Sequence, residues 1–154
     1  MSKIFDNKKV LITGGTGSLG KTLVKRLLSE EYGKLKNLII FSRDEAKQHA
    51  MRLSYENQEV ATDEVTYNNF NRTLQFRIGD IRNYSDIASA MKGVDIVYHF
   101  AAMTDLDTVN SFLKKSWFWN VNKKALIAFH REDYHGKPDT DLSQSVRETV
   151  YKSI

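Results

Sequence analysis

Residues 13–22 read TGGTGSLGKT, and two phosphate-binding patterns overlap in them. Gly15-Thr16-Gly17-Ser18-Leu19-Gly20 satisfies G-x-G-x-x-G, the dinucleotide turn. Gly15 to Thr22 satisfies G-x-x-x-x-G-K-[ST], the loop of ATP- and GTP-binding proteins. Both patterns rest on the same physics: a buried strand ends, the chain turns sharply, and a helix begins. The helix N-terminus offers unpaired N–H groups and a partial positive charge, and glycine lets the backbone come close to an anion.

The elements that must position such a turn are legible on either side of it. Lys8-Lys9-Val10-Leu11-Ile12-Thr13 is a short apolar run after charged residues, a first strand. Leu19, Leu23, Val24, Leu27 and Leu28 share one helical face after it. Asn37 to Ser42 predicts a second buried strand, and Arg43-Asp44-Glu45 opens a polar helix over residues 44–57. Residues 58–73 are polar and mixed, and read as an exposed loop or a helix extension. Leu74-Gln75-Phe76-Arg77-Ile78 alternates as a third strand ended by Gly79-Asp80. Asn83 is placed to cap a helix carrying Ile87, Ala88 and Met91, with Gly93 as its stop. Val94 to Phe100 predicts a fourth strand.

Strands alternating with helices predict an α/β fold: a Rossmann-like parallel sheet of about four strands in the order 3-2-1-4, with helices on both faces. Beyond residue 103 the pattern changes. Asn120 to Glu132 reads as a helix with Val121, Ala125, Leu126, Ala128 and Phe129 as its apolar set, and no fifth strand is expected. Residues 140–153 read as a last amphipathic helix after the turn at Gly136 and Pro138, so C-terminal helices are expected to replace the second half of the fold. Residues 1–132 are thus expected to form the cofactor-binding domain, with 133–154 a turn and helix of the same domain.

Composition narrows the function classes. The 154 residues carry 41% hydrophobic and 27% charged residues, ordinary for a globular chain with a core of its own. The net charge of +4 suits an anionic ligand but is too small and dispersed to predict nucleic-acid binding. The absence of cysteine excludes disulfides and thiolate chemistry. The polar start MSKIFDNKK and the lack of a long apolar run predict no leader, no membrane partner and a cytoplasmic location. His130, Glu132, Asp133 and His135 match no established metal spacing, and no metal is expected.

The residues after each strand separate the two patterns. A P-loop protein needs an acid at the end of another buried strand to hold magnesium. The second strand is followed by Ser42 and Arg43 and the fourth by alanines, which leaves only Asp80 after the third. A dinucleotide site instead needs a ribose-binding residue at the tip of the second strand: an acid for NAD, or an arginine for the 2′-phosphate of NADP. Ser42-Arg43 supplies a hydroxyl and a guanidinium, which predicts NADP, with Asp44 leaving NAD as the fallback.

Thr13-Gly14-Gly15-Thr16-Gly17-Ser18-Leu19-Gly20 is similar to the T-G-x-x-G-x-x-G turn of extended short-chain dehydrogenase/reductases. Phe41 to Glu45, Phe76 to Arg82, Ala90 to Asp95 and His99 to Ala102 resemble one branch of that family, the UDP-N-acetylglucosamine 4,6-dehydratases of bacterial polysaccharide synthesis. The resemblance spans residues 5 to about 103, weakens to Asn120-Val121-Asn122, and is absent after about residue 132. It implies that Thr13, Gly14, Gly17, Ser18, Leu19 and Gly20 form the pyrophosphate turn, and that Ser42 and Arg43 take the 2′-phosphate with help from Lys47. It also implies that Asp80 and Ile81 flank the adenine and that Ala101 and Ala102 line the nicotinamide side, while Lys21 becomes a plain surface lysine.

The resemblance implies oxidation of a sugar at C4, loss of water across C5 and C6, and return of the hydride, with proton transfer by a Tyr-x-x-x-Lys pair and an Asp-Lys pair. Neither pair stands in place. Tyr32 and Lys36 match the spacing but precede the second strand, at the far end of the sheet; Tyr134 meets Pro138, and Tyr151 has no lysine four positions beyond it. Thr104 stands where relatives carry lysine; Asp105 and Asp107 follow it, with helix capping as their expected role. The catalytic residues are therefore unassigned. The expectation is an NADP-binding relative of the dehydratases, truncated and lacking the Tyr/Lys half, with a UDP-sugar as further partner. A non-catalytic NADP-binding or interaction module and a P-loop ATP/GTP-binding protein are the alternatives. Trp117-Phe118-Trp119 is expected to cover the sheet edge left by a missing fifth strand, or to form a homo-oligomer through it.

Overall fold

A computed structural model describes residues 3–59 and 63–100, together with the strand 126–129. Among these residues the order is β1 (Lys9–Thr13), α1 (Ser18–Leu28), β2 (Asn37–Ser42), α2 (Glu45–Glu56), α3 (Glu64–Thr73), β3 (Leu74–Ile78), α4 (Tyr84–Ala90), β4 (Ile96–His99) and β5 (Leu126–Phe129). The strands form one sheet in the order β3-β2-β1-β4-β5, and every pairing is parallel.

The expected 3-2-1-4 arrangement is present, and the expected absence of a fifth strand is corrected. Leu126, Ile127, Ala128 and Phe129 pair with Ile96, Val97, Tyr98 and His99. The segment read as helix is a strand at its centre. A four-residue apolar run fits a buried strand and a helical stripe equally well, and only the waiting edge of β4 decides between them. The edge of β4 is therefore paired, and β5 is the last strand of the described sheet on that side. Trp117-Phe118-Trp119 and the expected helix over 140–153 lie outside the described residues.

β1 is buried on both faces, which explains a continuous apolar run in place of alternation. On one face Val10, Ile12, Leu38, Ile40, Ile96 and Tyr98 pack with Leu23, Val24, Leu27 and Leu28 of α1, Met51 and Tyr55 of α2, and Phe70 of α3. On the other, Leu11, Ile39, Phe41 and Val97 meet Ile87, Ala90, Met91 and Val94 at α4. The stretch 58–73 contains a separate helix, α3, whose N-cap Asp63 accepts from Thr66 N at 2.8 Å. Its buried face is Thr66, Asn69, Phe70 and Thr73. Asn69 Nδ2 donates to Leu28 O at 2.8 Å and so closes the C-terminal end of α1.

α1 lies close against the turn that feeds it. A Cβ on Gly20 would stand 2.5 Å from Gly15 Cα and 2.6 Å from Gly15 O, so only a hydrogen permits this seat. Gly14 has φ +71°, the left-handed conformation that sends the chain from strand to helix.

At the end of the neighbouring strand, His99 Nδ1 and Thr13 Oγ1 share a hydrogen bond of 2.6 Å, and both residues are buried. Phe100 N donates to Thr13 O at 3.0 Å. Side chain and backbone of Thr13 are thus both tied to β4, one residue before the turn. Burial pushes the His99 pKa down to about 4, so the ring is neutral at pH 7.

Two outcomes follow. Gly20→Ala gains helix propensity but forces a methyl into backbone, and thermal unfolding should show a net loss of about 2 kcal/mol, roughly a 5 °C fall in Tm. His99 binds its proton more weakly folded than unfolded, so its contribution is complete above about pH 6.5 and declines as pH falls toward about 4. Denaturant titrations should show the pH dependence of stability between pH 6.5 and 4 reduced in His99→Gln, by up to about 1.4 kcal/mol per pH unit. Equal slopes for the two proteins would contradict a buried neutral ring.

Candidate functional site

The parallel register brings four strand ends to one rim. Thr13 pairs with Phe41 and with His99, and Ser42 pairs with Ile78. The glycine turn, the Ser42-Arg43 tip and the Gly79-Asp80-Ile81 tip therefore sit side by side. The order reverses between β2-β1 and β1-β4, the switch point at which open α/β sheets bind ligands. Tyr32 and Lys36 lie at the opposite end, as expected. Lys36 N donates to Lys8 O, before β1 begins, and the Tyr32 hydroxyl is bonded by Arg26.

Within the turn, Gly17 N donates to Gly14 O at 3.1 Å, closing it before α1 starts at Ser18. Gly17 is the N-cap of α1 and offers no side-chain cap, and the first turn carries no acid. The other three described helices are each capped by a side chain, those of Asp44, Asp63 and Asn83. The N–H groups of Ser18, Leu19 and Gly20 have no carbonyl four residues back within the helix, so they remain as donors at the rim. A Cβ at Gly17 would meet only Gly14 O, at 3.4 Å, so the space in front of the turn is open.

This geometry decides between the overlapping patterns. A P-loop carries its lysine at the end of a long loop whose N–H groups ring a phosphate. Here Lys21 already lies in α1, exposed, with its N–H donated to Gly17 O at 2.9 Å. No group of three or more His, Asp or Glu able to hold a metal ion occurs among the described residues. The placement of Lys21 within α1 weighs against the ATP/GTP alternative.

At the tip of β2, Arg43 is exposed and Ser42 half-buried. Asp44 turns back on the chain: its Oδ1 accepts from Lys47 N at 2.9 Å as the N-cap of α2, and its Oδ2 lies 3.2 Å from Lys47 Nζ. The Lys47 backbone hydrogen bond holds the Asp44 carboxyl below its usual range. At the tip of β3, Arg82 grips Asp80 through Nε at 3.0 Å and Nη2 at 2.6 Å. Arg82 holds the Asp80 carboxyl down at about 2, with a smaller attraction from Arg43. Asp80 N donates to Asp86 Oδ2 at 3.0 Å. Ile81 packs against the cluster under α4. Gly79 is kept small by Phe41, whose ring would lie 2.7 Å from a Cβ there.

Thr13, Gly14, Gly17, Ser18, Leu19, Gly20, Ser42, Arg43, Lys47, Asp80 and Ile81 thus all belong to this rim or to the turns that form it. Ala101, Ala102, Thr104, Asp105, Asp107, the His130–His135 group, Tyr134 and Tyr151 lie outside the described residues. Sequence reasoning missed Gln48. It is a buried polar residue on α2 whose amide nitrogen bonds Ser42 and Arg77. A glutamine inside a polar helix carries no motif, and only Asp44 as a cap four residues earlier hinted that it lies close to the strand tips. No described helix is long and apolar enough to cross a membrane.

Comparison with known proteins agrees with this geometry. Residues 10–132 match the family described as polysaccharide biosynthesis protein. A UDP-glucose 4-epimerase of Rickettsia bellii (strain RML369-C) is 42% identical over 106 residues, 68% of this chain and 27% of the relative. Another, of Rickettsia prowazekii (strain Madrid E), is 42% identical over 119 residues, 77% of this chain and 31% of the relative. The chain thus spans about three tenths of the length of these relatives. Among solved structures, Pen of Bacillus thuringiensis is similar at 36% identity and TM-score 0.52, over 74% of this chain and 30% of that one. A Rossmann-fold NAD(P)-binding family protein of Shigella flexneri shares the fold at 23% identity and TM-score 0.54, over 95% of this chain and 62% of that one. A glycine turn at the switch point of a 3-2-1-4 sheet, matched across residues 10–132, places this chain in the polysaccharide biosynthesis protein family of extended short-chain dehydrogenase/reductases.

Proposed function

We propose that the chain binds NADP across the rim, as the cofactor-holding part of a protein that acts at C4 of a UDP-linked hexose. The residues fit the dinucleotide. The open N-terminus of α1 offers N–H donors without a competing acid, and Gly17 leaves room for the pyrophosphate. Ser42, Arg43 and Lys47 stand at the ribose end, and Asp80 and Ile81 flank the adenine. Arg82 fixes the Asp80 carboxylate in the acceptor role that an adenine amine requires. When bound, the nicotinamide takes up and returns a hydride; the described residues bind and orient it.

One observation carries the preference for NADP. The acid at the tip of β2 is occupied within its own helix, since Asp44 caps α2 and pairs with Lys47. Arg43 is exposed beside it. A ribose hydroxyl would find no idle carboxylate there, whereas a 2′-phosphate would find a guanidinium and a hydroxyl.

The sugar is argued from the relatives. The Rickettsia proteins are UDP-glucose 4-epimerases, and the resemblance at the motifs points to UDP-N-acetylglucosamine 4,6-dehydratases. Both activities begin by removing hydride from C4 of a UDP-hexose, and that shared step is the one we assign. Retention of the C6 hydroxyl would make the protein an epimerase, and its loss a dehydratase.

Calorimetry on the 154-residue chain tests the cofactor reading. NADP should bind more tightly than NAD. Arg43→Ala should weaken NADP by about ten- to a hundredfold, the loss of a charge-assisted contact, while leaving NAD within about twofold. Binding of Mg-ATP with no response to either dinucleotide would overturn the reading.

A further inference from the structure

We propose that Gln48 sets the preference between the two dinucleotides by fixing the Ser42 hydroxyl as a hydrogen-bond donor; this rests on the NADP reading above. Gln48 lies in the first turn of α2, where its N–H donates to Asp44 O at 3.1 Å, and its side chain is only 4% exposed. The amide nitrogen Nε2 lies 2.8 Å from Arg77 O and 3.2 Å from Ser42 O. It also lies 3.0 Å from Ser42 Oγ.

The two carbonyls settle which end of the amide is which. A carbonyl oxygen only accepts, so the end facing both must be the nitrogen; the amide oxygen placed there would face two acceptors with no hydrogen between them. Its two hydrogens serve three acceptors: one goes to Arg77 O, and the other is shared between Ser42 Oγ at 3.0 Å and Ser42 O at 3.2 Å. One lone pair of the hydroxyl is taken, and the hydroxyl hydrogen remains to be given away. Among the described residues Ser42 Oγ donates to no protein group in the hydrogen bonds resolved.

A ribose 2′-hydroxyl can give or accept, whereas an ionised 2′-phosphate only accepts. A serine free to rotate serves either partner. A ribose hydroxyl can accept from the outward-turned serine hydrogen as well, but donation to an ionised 2′-phosphate is charge-assisted and roughly twice as strong, so a serine oriented this way beside Arg43 favours the phosphate. Gln48 touches no cofactor in this scheme. It is a positioning residue acting through Ser42, and it also stitches β2 to β3 through the two carbonyls. The stitching alone would affect both dinucleotides alike.

The test is the ratio of NAD to NADP dissociation constants, measured by calorimetry on wild type, Gln48→Met, Ser42→Ala and the double variant. Gln48→Met keeps the volume and removes the donor. Gln48→Ala admits water to the carbonyls and serves if the methionine form does not fold. We expect either Gln48 variant to lower the ratio about three- to tenfold, the value of one hydrogen bond. Ser42→Ala should lower it similarly, and the double variant should fall no further. An unchanged ratio in a folded Gln48 variant that still binds NADP overturns the inference and leaves the cofactor reading intact. A further drop in the double variant also overturns it, since Gln48 would then act by another route. A wild-type chain that binds neither dinucleotide overturns the cofactor reading itself, and this inference with it.

Discussion

The contact of Gly20 with the backbone of Gly15 governs the geometry of the whole rim. With 2.5 Å between a hypothetical Cβ and Gly15 Cα, helix and turn are as close as backbones come. That closeness aims the first N–H groups of α1 past the end of β1, and the glycine at the N-cap, Gly17, brings no side chain to cap them. The apolar face of the helix (Leu23, Val24, Leu27 and Leu28) supplies the burial that holds it there. At its far end Asn69 and the last-turn cations Lys25 and Arg26 complement the exposed carbonyls. The helix is thus satisfied at its C-terminus and open at its N-terminus, the polarity an anion site needs.

Among the described residues two ion pairs stand at the tips of β2 and β3, and Arg43 belongs to neither. Asp44 is matched by Lys47 and Asp80 by Arg82, both at the surface. Exposed pairs of this kind add little to stability. Their effect is positional: each carboxylate is turned toward its own element and away from its neighbour's. Between the two pairs stands Arg43, near enough to Asp80 to help depress its pKa. In the proposed NADP site the carboxylate that could hold a ribose hydroxyl is a helix cap, so the backbone need of α2 bears on the choice of cofactor.

Much of this was legible because the central strands are buried on both faces and the turn is marked by glycine. Val10-Leu11-Ile12 and Leu38-Ile39-Ile40-Phe41 could scarcely be anything but interior strands, and their order followed from the alternation with helices. Asn83 and Gly93 bracketed α4 through their own local chemistry: Asn83 Oδ1 accepts from Ser85 N, and Gly93 has φ +70°. The failures have a different cause. α3 buries Thr66, Asn69 and Thr73, so hydrophobic periodicity cannot find it. β5 is four residues long and pairs with a strand some thirty positions earlier; its state is set by a neighbour that no local window contains. Gln48 belongs to the same class, because its meaning comes from two carbonyls on two strands.

On the proposed reading, cofactor choice and reaction outcome are separated along this chain. The groups facing the adenosine end all lie before residue 82, on the tips of β2 and β3 and the first turn of α2. They are tied together through Gln48, Asp44 and Arg82. His99 marks the boundary. It holds the end of β4 to Thr13 by a neutral, buried hydrogen bond, and so joins the glycine turn, the proposed pyrophosphate grip, to the end of β4. A change at the β2 tip can therefore alter which dinucleotide is held without moving the ring that reacts. By contrast, a change at the Thr13–His99 tie disturbs the pyrophosphate turn and the path to the nicotinamide together. On the proposed reading the tips of β2 and β3 select the cofactor, and the tie at Thr13 and His99 sets where its reactive end would lie.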